Sequence, residues 1–389
     1  MKGIAVIGAN YGDEGKGLMT DFLCAREAKA GKQVFVVRHN GGAQAGHTVV
    51  APASEGGFRH VFHHFGSGTL QSIPTILAKD FILNPILFRK EYEELEAAGY
   101  APEVFVDVRC RITTPWDMVY NQAQEEARSP AVAGGERHGS CGVGINATVD
   151  RNEVIPFTRE SGCLSSLERI SGHYKNKMFP AGVPSEAENS RFFMSPGLEE
   201  VGHAFSSDLY FLIRHTSVMD YPLCQHPNAD SFTFIFEGAQ GLGLDEYMGS
   251  YPHVTRSNTG LRNVVDFCRE HKIDLDEIVY VTRSYLTRHG NGPMEGTLYS
   301  EEAYFEDKTN VPNPWQGTLR QSAMDEEAYF NMAERVAWDT QSVGMGSKPI
   351  SLAITHNDQL TSEDWEYSLI PVKYKSFGET REDVKETKK

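Results

Sequence analysis

Long apolar runs are missing from this chain: its hydrophobic stretches are only a handful of residues long, too short to span a bilayer. Paired cysteines are missing too. Cys24, Cys110, Cys141, Cys163, Cys224 and Cys268 are scattered through 389 residues without a CxxC spacing. That pattern argues for reduced thiols and against a zinc knuckle. Positive charge is scarce: 37 Lys and Arg against 53 Asp and Glu leave a net charge of −16, and no basic stripe interrupts it. Such a chain repels duplex nucleic acid, so a nucleotide would have to be held by local main-chain amides and a few cations. No internal repeat or low-complexity linker is visible, and the N-terminus runs directly into "KGIAVIG" without a signal-peptide pattern. The expected setting is the cytoplasm.

What is present alternates between strand and helix signals. "KGIAVIG" and "KQVFVVRH" read as buried strands, and "KGLMTDFLCAREAKA" between them sets Leu18, Met19, Phe22 and Leu23 on one helical face. That βαβ start predicts a parallel pair joined by a crossover helix. Further strands are expected at "EVFVDVRC", "FTFIFEG", "EIVYVTRSYL" and "PISLAIT". Further helices are expected at "PILFRKEYEELEAAGY", "PWDMVYNQAQEEARS" and "GLEEVGHAFSSDLYFLIRHTSVM". The fold class this predicts is α/β: one large domain over 1–389 with a central, mostly parallel sheet flanked by helices. Gly-rich loops at 40–47, 133–146 and 238–260 are long enough to be functional, and the charged end is expected to fray from about 382 to 389.

The first loop, "GANYGDEGKGL", has the chemistry of a phosphate site but not the Walker A spacing. Gly8 stands seven residues before Gly15, and Gly17 replaces the Ser or Thr that would hold Mg²⁺. Gly12, Gly15 and Gly17 still free the main chain to point amides inward, Lys16 adds a cation, and a helix N-terminus follows. The bland alternative is a strand-to-helix turn with incidental glycines. A second candidate, "HVFHH" with His60, His63 and His64, reads better as a packed strand than as a metal site, because no carboxylate or cysteine stands at ligand spacing.

"GDEGKG" closely resembles the signature of the adenylosuccinate synthetase family, and the resemblance continues in order along the chain. "RHNGGAQAGHTVV" is similar to that family's second signature and "FEGAQGLGLDEYMGSYPHVTRSNTG" to its third. "LTRHGNGPMEGTL" and "GTLRQSAMD" match its substrate loops more weakly, while "ITHND" and "KSFGET" stand where it contacts guanine. The resemblance implies a ligase that joins L-aspartate to C6 of a 6-oxopurine nucleotide. GTP and Mg²⁺ are used, and a 6-phosphoryl intermediate is formed.

The resemblance also implies roles. Asp13 would be the base at purine N1 and a metal ligand, with the Gly46 carbonyl as second metal contact; His47 would be the general acid, and Gln240 would steady the 6-oxygen. GTP would be held by Gly12, Glu14, Gly15, Lys16, Gly17, Thr48, His356, Asp358, Ser376 and Gly378. The purine monophosphate would be held by Asp13, Lys16, Gln44, Ser140, Cys141, Arg151, Gln240, Thr255 and His289, and aspartate by Thr318 and Arg320. Asp358 can accept both N–H donors of guanine, which favours GTP over ATP or dATP, although His356 replaces the lysine that covers the base. A homodimer is carried over in the same way, with Arg151 reaching the partner's nucleotide.

Several departures lean toward the family's phage branch, which uses dGMP on the way to 2-aminoadenine. They are Gln44 for asparagine, a thinned arginine loop, His289 and the ending "YKSFGETREDV". Asp13 leans toward IMP, because that branch often carries a smaller residue there. The favoured reading is dGMP with GTP; IMP remains the alternative, and a GTP-binding switch protein the alternative from another class.

Overall fold

The computed structural model describes residues 1–128, 140–161, 164–178, 197–219, 222–310, 319–360 and 368–387. Ten strands form one sheet. Its spatial order is Val384–Glu386, Val372–Ser376, Ile350–Thr355, Asp274–Arg283, Lys2–Gly8, Phe232–Glu237, Gln33–Arg38, Thr75–Leu77, Val104–Asp107 and Ser217–Met219. All neighbours run parallel except the first two, which are antiparallel.

The apolar strands read as continuous because both sheet faces are covered. Ala5, Ile7, Val37, Phe234, Phe236 and Tyr280 pack on one face against Val264 and Phe267 of helix Arg262–His271 and Met332 and Val336 of helix Glu326–Ser342. Their alternates Ile4, Val6, Val36, Ile235, Val279 and Val281 pack on the other face against Leu18, Met19 and Leu23 of helix Lys16–Lys29. Period-two alternation therefore supplies two cores from one set of strands. A further core joins helix Pro85–Ala97 to helix Gly197–Arg214 through Phe88, Leu95, Phe205 and Leu212.

Four expectations need correction. The strands flanking the first helix are not neighbours: Phe232–Glu237, apolar on both faces and wholly buried, is inserted between them and pairs with each. "EIVYVTRSYL" breaks at Ser284, whose N–H donates to the Thr355 carbonyl and whose Oγ donates to the His356 carbonyl, both at 3.0 Å. That turns Tyr285–His289 out of the sheet into an antiparallel hairpin with Leu319–Ala323. The segment ending "HTSVM" is helical only to Arg214, after which Ser217–Met219 adds an edge strand. The charged end does not fray from 382: Val384–Glu386 pairs with Tyr374–Ser376, and a capping box of Thr380 and Asp383 leads into it.

Candidate active site

Five adjacent parallel strands end at Thr355, Arg283, Gly8, Glu237 and Arg38. Ligands of open α/β sheets bind outside such carboxyl ends. The loops leaving these five ends carry most of the residues singled out from the sequence, and two clefts open among them.

The first cleft is lined by Asp13, Gly15, Lys16, Gly17, Gly46, His47, Thr48, His356, Asp358, Ser376 and Gly378. Its floor is the first loop, where Gly12, Asp13 and Gly15 take the left-handed φ values of +97°, +58° and +89°. Glycine is required at two places by close approach. A Cβ on Gly15 would lie 2.9 Å from Thr355 Cγ2, and one on Gly17 would lie 2.8 Å from the Thr48 carbonyl oxygen. The unusual length of the loop has an internal brace: Glu14 accepts from the amides of Gly12 at 2.8 Å and Asn10 at 3.1 Å, and pairs with Lys16. The Glu14 carboxylate is buried within the loop and does not line the cleft. Gly12 likewise lies behind it, with its amide on Glu14.

His47 is buried, its Nδ1 lies 2.6 Å from Glu237 Oε1, and its Nε2 has no partner. Glu237 also accepts from Ser67 N at 3.0 Å and from Ser67 Oγ. Burial pushes the His47 imidazole down to about 4 against the pull of Glu237. Burial alone would raise Glu237, but His47, Arg38 and Ser67 hold it ionised. A neutral His47 facing a carboxylate carries its proton on Nδ1, so Nε2 presents a lone pair to the cleft. His356 is likewise kept neutral, pushed to about 3 by burial and by Arg283, and its Nδ1 is 2.8 Å from Thr355 Oγ1. Asp358 is exposed on the cleft wall.

The second cleft is lined by Gln44, Ser140, Cys141, Gln240, Thr255 and His289, with Glu125, His253 and Arg288 beside them. Both amide atoms of Gln44 and the Oε1 of Gln240 are buried without a partner. Ser140 Oγ donates to Asn121 Oδ1 at 2.8 Å, and burial pushes Cys141 up to about 11, so it stays a thiol. The clefts meet where Asp13 Oδ2 and His289 Nε2 stand 3.3 Å apart, since Asp13 lines one and His289 the other. Burial would raise Asp13, but its contact with His289 and the charges of Arg283 and Lys16 hold it below the usual carboxylate range.

Two assigned residues fall elsewhere. Arg151 is a core residue, wholly buried: it donates to both Asp117 oxygens at 3.2 and 3.0 Å and to the carbonyls of Ile112 and Ile155. All its capacity is spent inside its own subunit, which corrects its assignment to a nucleotide. Thr318 lies outside the described residues. Arg320 sits opposite Arg288 in the hairpin, and its Nη2 donates to the carbonyls of Gly290 at 2.6 Å and Gly292 at 2.9 Å. His60 and His64 face Glu91, as the packed-strand reading expects, and His63 Nδ1 lies 2.8 Å from the Ala45 carbonyl.

Asp13 and Gly46 lining one cleft supply oxygen donors, which suit Mg²⁺ rather than a softer ion. No group of three or more His, Cys, Asp or Glu among the described residues forms a metal cage. The residues therefore fit an ion that completes its shell from phosphate and water. Sequence reading missed Glu237, Arg283, Asp307 and Asn310. Only Glu237 left a signal, as a lone acid closing an apolar strand, which demands a buried partner.

The family model described as adenylosuccinate synthetase matches residues 5–311. The adenylosuccinate synthetase of Francisella tularensis subsp. novicida is 29% identical over 319 residues, covering 78% of this chain and 68% of its own. That of Francisella tularensis subsp. tularensis gives the same figures. Among solved structures, the fully ligated adenylosuccinate synthetase from Plasmodium falciparum is similar with a TM-score of 0.74, 16% identity and 99% coverage of both chains. The cyanophage S-2L succinoaminodeoxyadenylate synthetase, bound to dGMP and dATP as an energy donor, has a TM-score of 0.57 and 18% identity. That match covers 100% of this chain and 96% of the phage protein. No described helix is long and apolar enough to cross a membrane.

Proposed function

The chain belongs to the adenylosuccinate synthetase family of carbon–nitrogen ligases, and we propose that within it this enzyme joins L-aspartate to C6 of dGMP with GTP as phosphate donor. The observation that carries the reading is the meeting of two clefts at Asp13, with Lys16 and His47 on one side and Gln240 and His289 on the other.

The chemistry follows from a poor leaving group. Asp13 takes the N1 proton of the 6-oxopurine, and the resulting 6-oxyanion attacks the γ-phosphorus while the bond to the β–γ bridging oxygen breaks. His47, held by Glu237, takes up a proton as the polyanion binds and donates from Nε2 toward the leaving β-phosphate. The amine of aspartate then attacks C6, the C6–O bond breaks, and inorganic phosphate departs carrying the proton that the amine gives up, with Gln240 to steady the exchanging oxygen. Mg²⁺, held by Asp13 and Gly46, would supply charge neutralisation on the phosphates. Main-chain amides of Gly15 and Gly17 with Lys16 and Thr48 cradle the triphosphate, while His356, Asp358, Ser376 and Gly378 enclose the guanine. Gln44 stands beside the purine, Ser140, Cys141 and Thr255 take the 5′-phosphate end of the monophosphate, and Arg320 takes the dicarboxylate.

The choice of dGMP is supported by the likeness to the cyanophage enzyme, whose structure holds that nucleotide, and by the arginine-poor aspartate loop. IMP is favoured by the residue type at position 13, since a smaller side chain than aspartate would leave more room beside a 2-amino group. The enzyme is proposed to act as a homodimer, in the cytoplasm or in that of a host cell. The deciding experiment is a panel of IMP, dIMP, GMP and dGMP with GTP, ATP or dATP, following aspartate-dependent phosphate release. Fastest turnover of dGMP with GTP is expected. Turnover of IMP alone would overturn the purine assignment and keep the enzyme class; release without aspartate or purine would point to a GTP-binding switch.

A further inference from the structure

Asp13 is held at two points by one closed ring of contacts. Its side-chain Oδ2 faces His289 Nε2 at 3.3 Å, and the same nitrogen lies 3.0 Å from Asn310 Oδ1. Asn310 cannot be turned over to offer its amide nitrogen instead, because that nitrogen donates to Asp307 Oδ2 at 2.8 Å. With oxygen acceptors on both sides, Nε2 of His289 carries a proton and is committed as a donor. Asp307 is fixed in turn: its Oδ1 accepts the amides of Thr309 at 2.9 Å and Asn310 at 3.0 Å. Its Oδ2 also receives Arg283 Nη2 at 2.9 Å, and Arg283 Nε donates to the main-chain oxygen of Asp13 at 2.5 Å.

The ring thus runs from the Asp13 carboxylate through His289, Asn310, Asp307 and Arg283 back to the Asp13 carbonyl. Asp13 needs such a frame. Its φ of +58° is unfavourable for a residue with a side chain and persists only where neighbours over-determine it. A free carboxylate on a left-handed loop residue would sample several rotamers, and a base displaced by about 1 Å loses much of its effect.

We propose that Asp307 is a positioning residue for the ligation reaction, which, through His289 on one arm and Arg283 on the other, sets the side chain of Asp13 against its own main chain. The inference rests on Asp13 being the base, as proposed above. Asp307 also lines the first cleft, but the proposed role runs through Asp13.

That dependence is testable by a double-mutant cycle on the full chain, using the substrate pair most active in the panel. Asp307→Asn keeps an acceptor for the two loop amides but sets a donor against Arg283 and Asn310, opening both arms. The expected result is a kcat lower by about 10–100-fold, with KM for both nucleotides and for aspartate changed less than about threefold. In an Asp13→Asn background the same substitution is expected to cost less than about threefold, because the frame then holds nothing that reacts. An equal loss in both backgrounds, a loss carried by KM, or no loss at all would overturn the inference. Should Asp307→Asn fail to fold by circular dichroism, Asn310→Leu, which cuts only the His289 arm, enters the same cycle with the same criteria. Failure of the underlying reading looks different: Asp13→Asn would itself turn over like the unaltered enzyme.

Discussion

On one side of Asp13 the main-chain groups are braced within the loop, while the buried His47 Nε2, Thr48 Oγ1 and Ser376 Oγ are left unpartnered at the cleft; on the other, the unpartnered groups are amide, carboxylate and imidazole side chains. In the first cleft Glu14 takes up two loop amides and Lys16, Thr355 Oγ1 donates to the Glu14 carbonyl at 2.8 Å, and Arg283 ties the Asp13 carbonyl. In the second cleft the amide of Gln44, the Oε1 of Gln240, the Oε2 of Glu125 and the Nδ1 of His289 are buried and unpartnered. The first is a main-chain construction, suited to phosphate, which any set of inward amides can hold. The second is a side-chain construction, suited to reading one base and one sugar, since unsatisfied buried groups discriminate sharply between ligands. Damage on the first side should therefore appear as lost turnover or lost stability, and damage on the second as altered KM and substrate choice.

The strongest way to break this comparison is at the junction. Asp13→Asn keeps the shape but removes the base, and kcat is expected to fall by about 10²–10⁴, roughly 3–5 kcal/mol of transition-state stabilisation. Steady-state kinetics with the preferred nucleotides would read it, and a loss confined to KM would move Asp13 into the second class. Next is Arg320→Lys. A lysine keeps the charge but loses the planar fork, so the KM for aspartate should rise about 10–100-fold with kcat little changed. An equal fall in kcat with unaltered aspartate KM would place Arg320 with the scaffold of the Gly290–Gly292 turn rather than with substrate. Gly15→Ala tests the first cleft in the opposite sense. A φ of +89° and a Cβ only 2.9 Å from Thr355 make it costly to folding, by about 1–3 kcal/mol in urea denaturation.

The same contrast decides what could be read from the sequence. The first cleft was legible because main-chain sites leave their mark as local motifs: "GDEGKG" and "AGHT" each place neighbours in sequence beside each other in space. Strand identity was legible wherever both faces are apolar, but strand order was not. Nothing in "FTFIFEG" announces that it will separate Lys2–Gly8 from Gln33–Arg38, because that is decided by pairings about two hundred residues apart. The second cleft was legible only in part. Arg151 was misplaced because a buried arginine paired with Asp117 and a ligand arginine look alike until the fold supplies the acid. Asp307 and Asn310 were missed because their partners, Arg283 and His289, are over twenty residues away, on strands that diverge at Ser284.

The smallest expected effect concerns a buried histidine at the end of a central strand. His39 follows the strand Gln33–Arg38, is wholly buried, and has neither ring nitrogen partnered. Its ring stands edge-on to Phe236 with centroids 6.4 Å apart, beneath the turn at Gly238. Burial, reinforced by the Arg38 guanidinium, pushes its imidazole down to about 3. In the unfolded chain the same ring takes a proton near its ordinary pKa of about 6.5. Between those values the unfolded state binds more protons, so stability is intact above about pH 6.5 and is lost as pH falls toward the folded value. At pH 5.5, one pH unit below the unfolded pKa, His39 should account for about 1 kcal/mol of lost stability. His39→Phe fills similar space against Phe236 and cannot titrate. Urea unfolding at pH 7 and pH 5.5 should then show a pH-dependent drop smaller than that of the unaltered chain by about that amount, other groups cancelling in the difference. Equal drops would mean that His39 finds water or a proton in the folded state. Because the residue lines neither cleft, KM values at pH 7 should stay where they were, which separates this core position from the two sites.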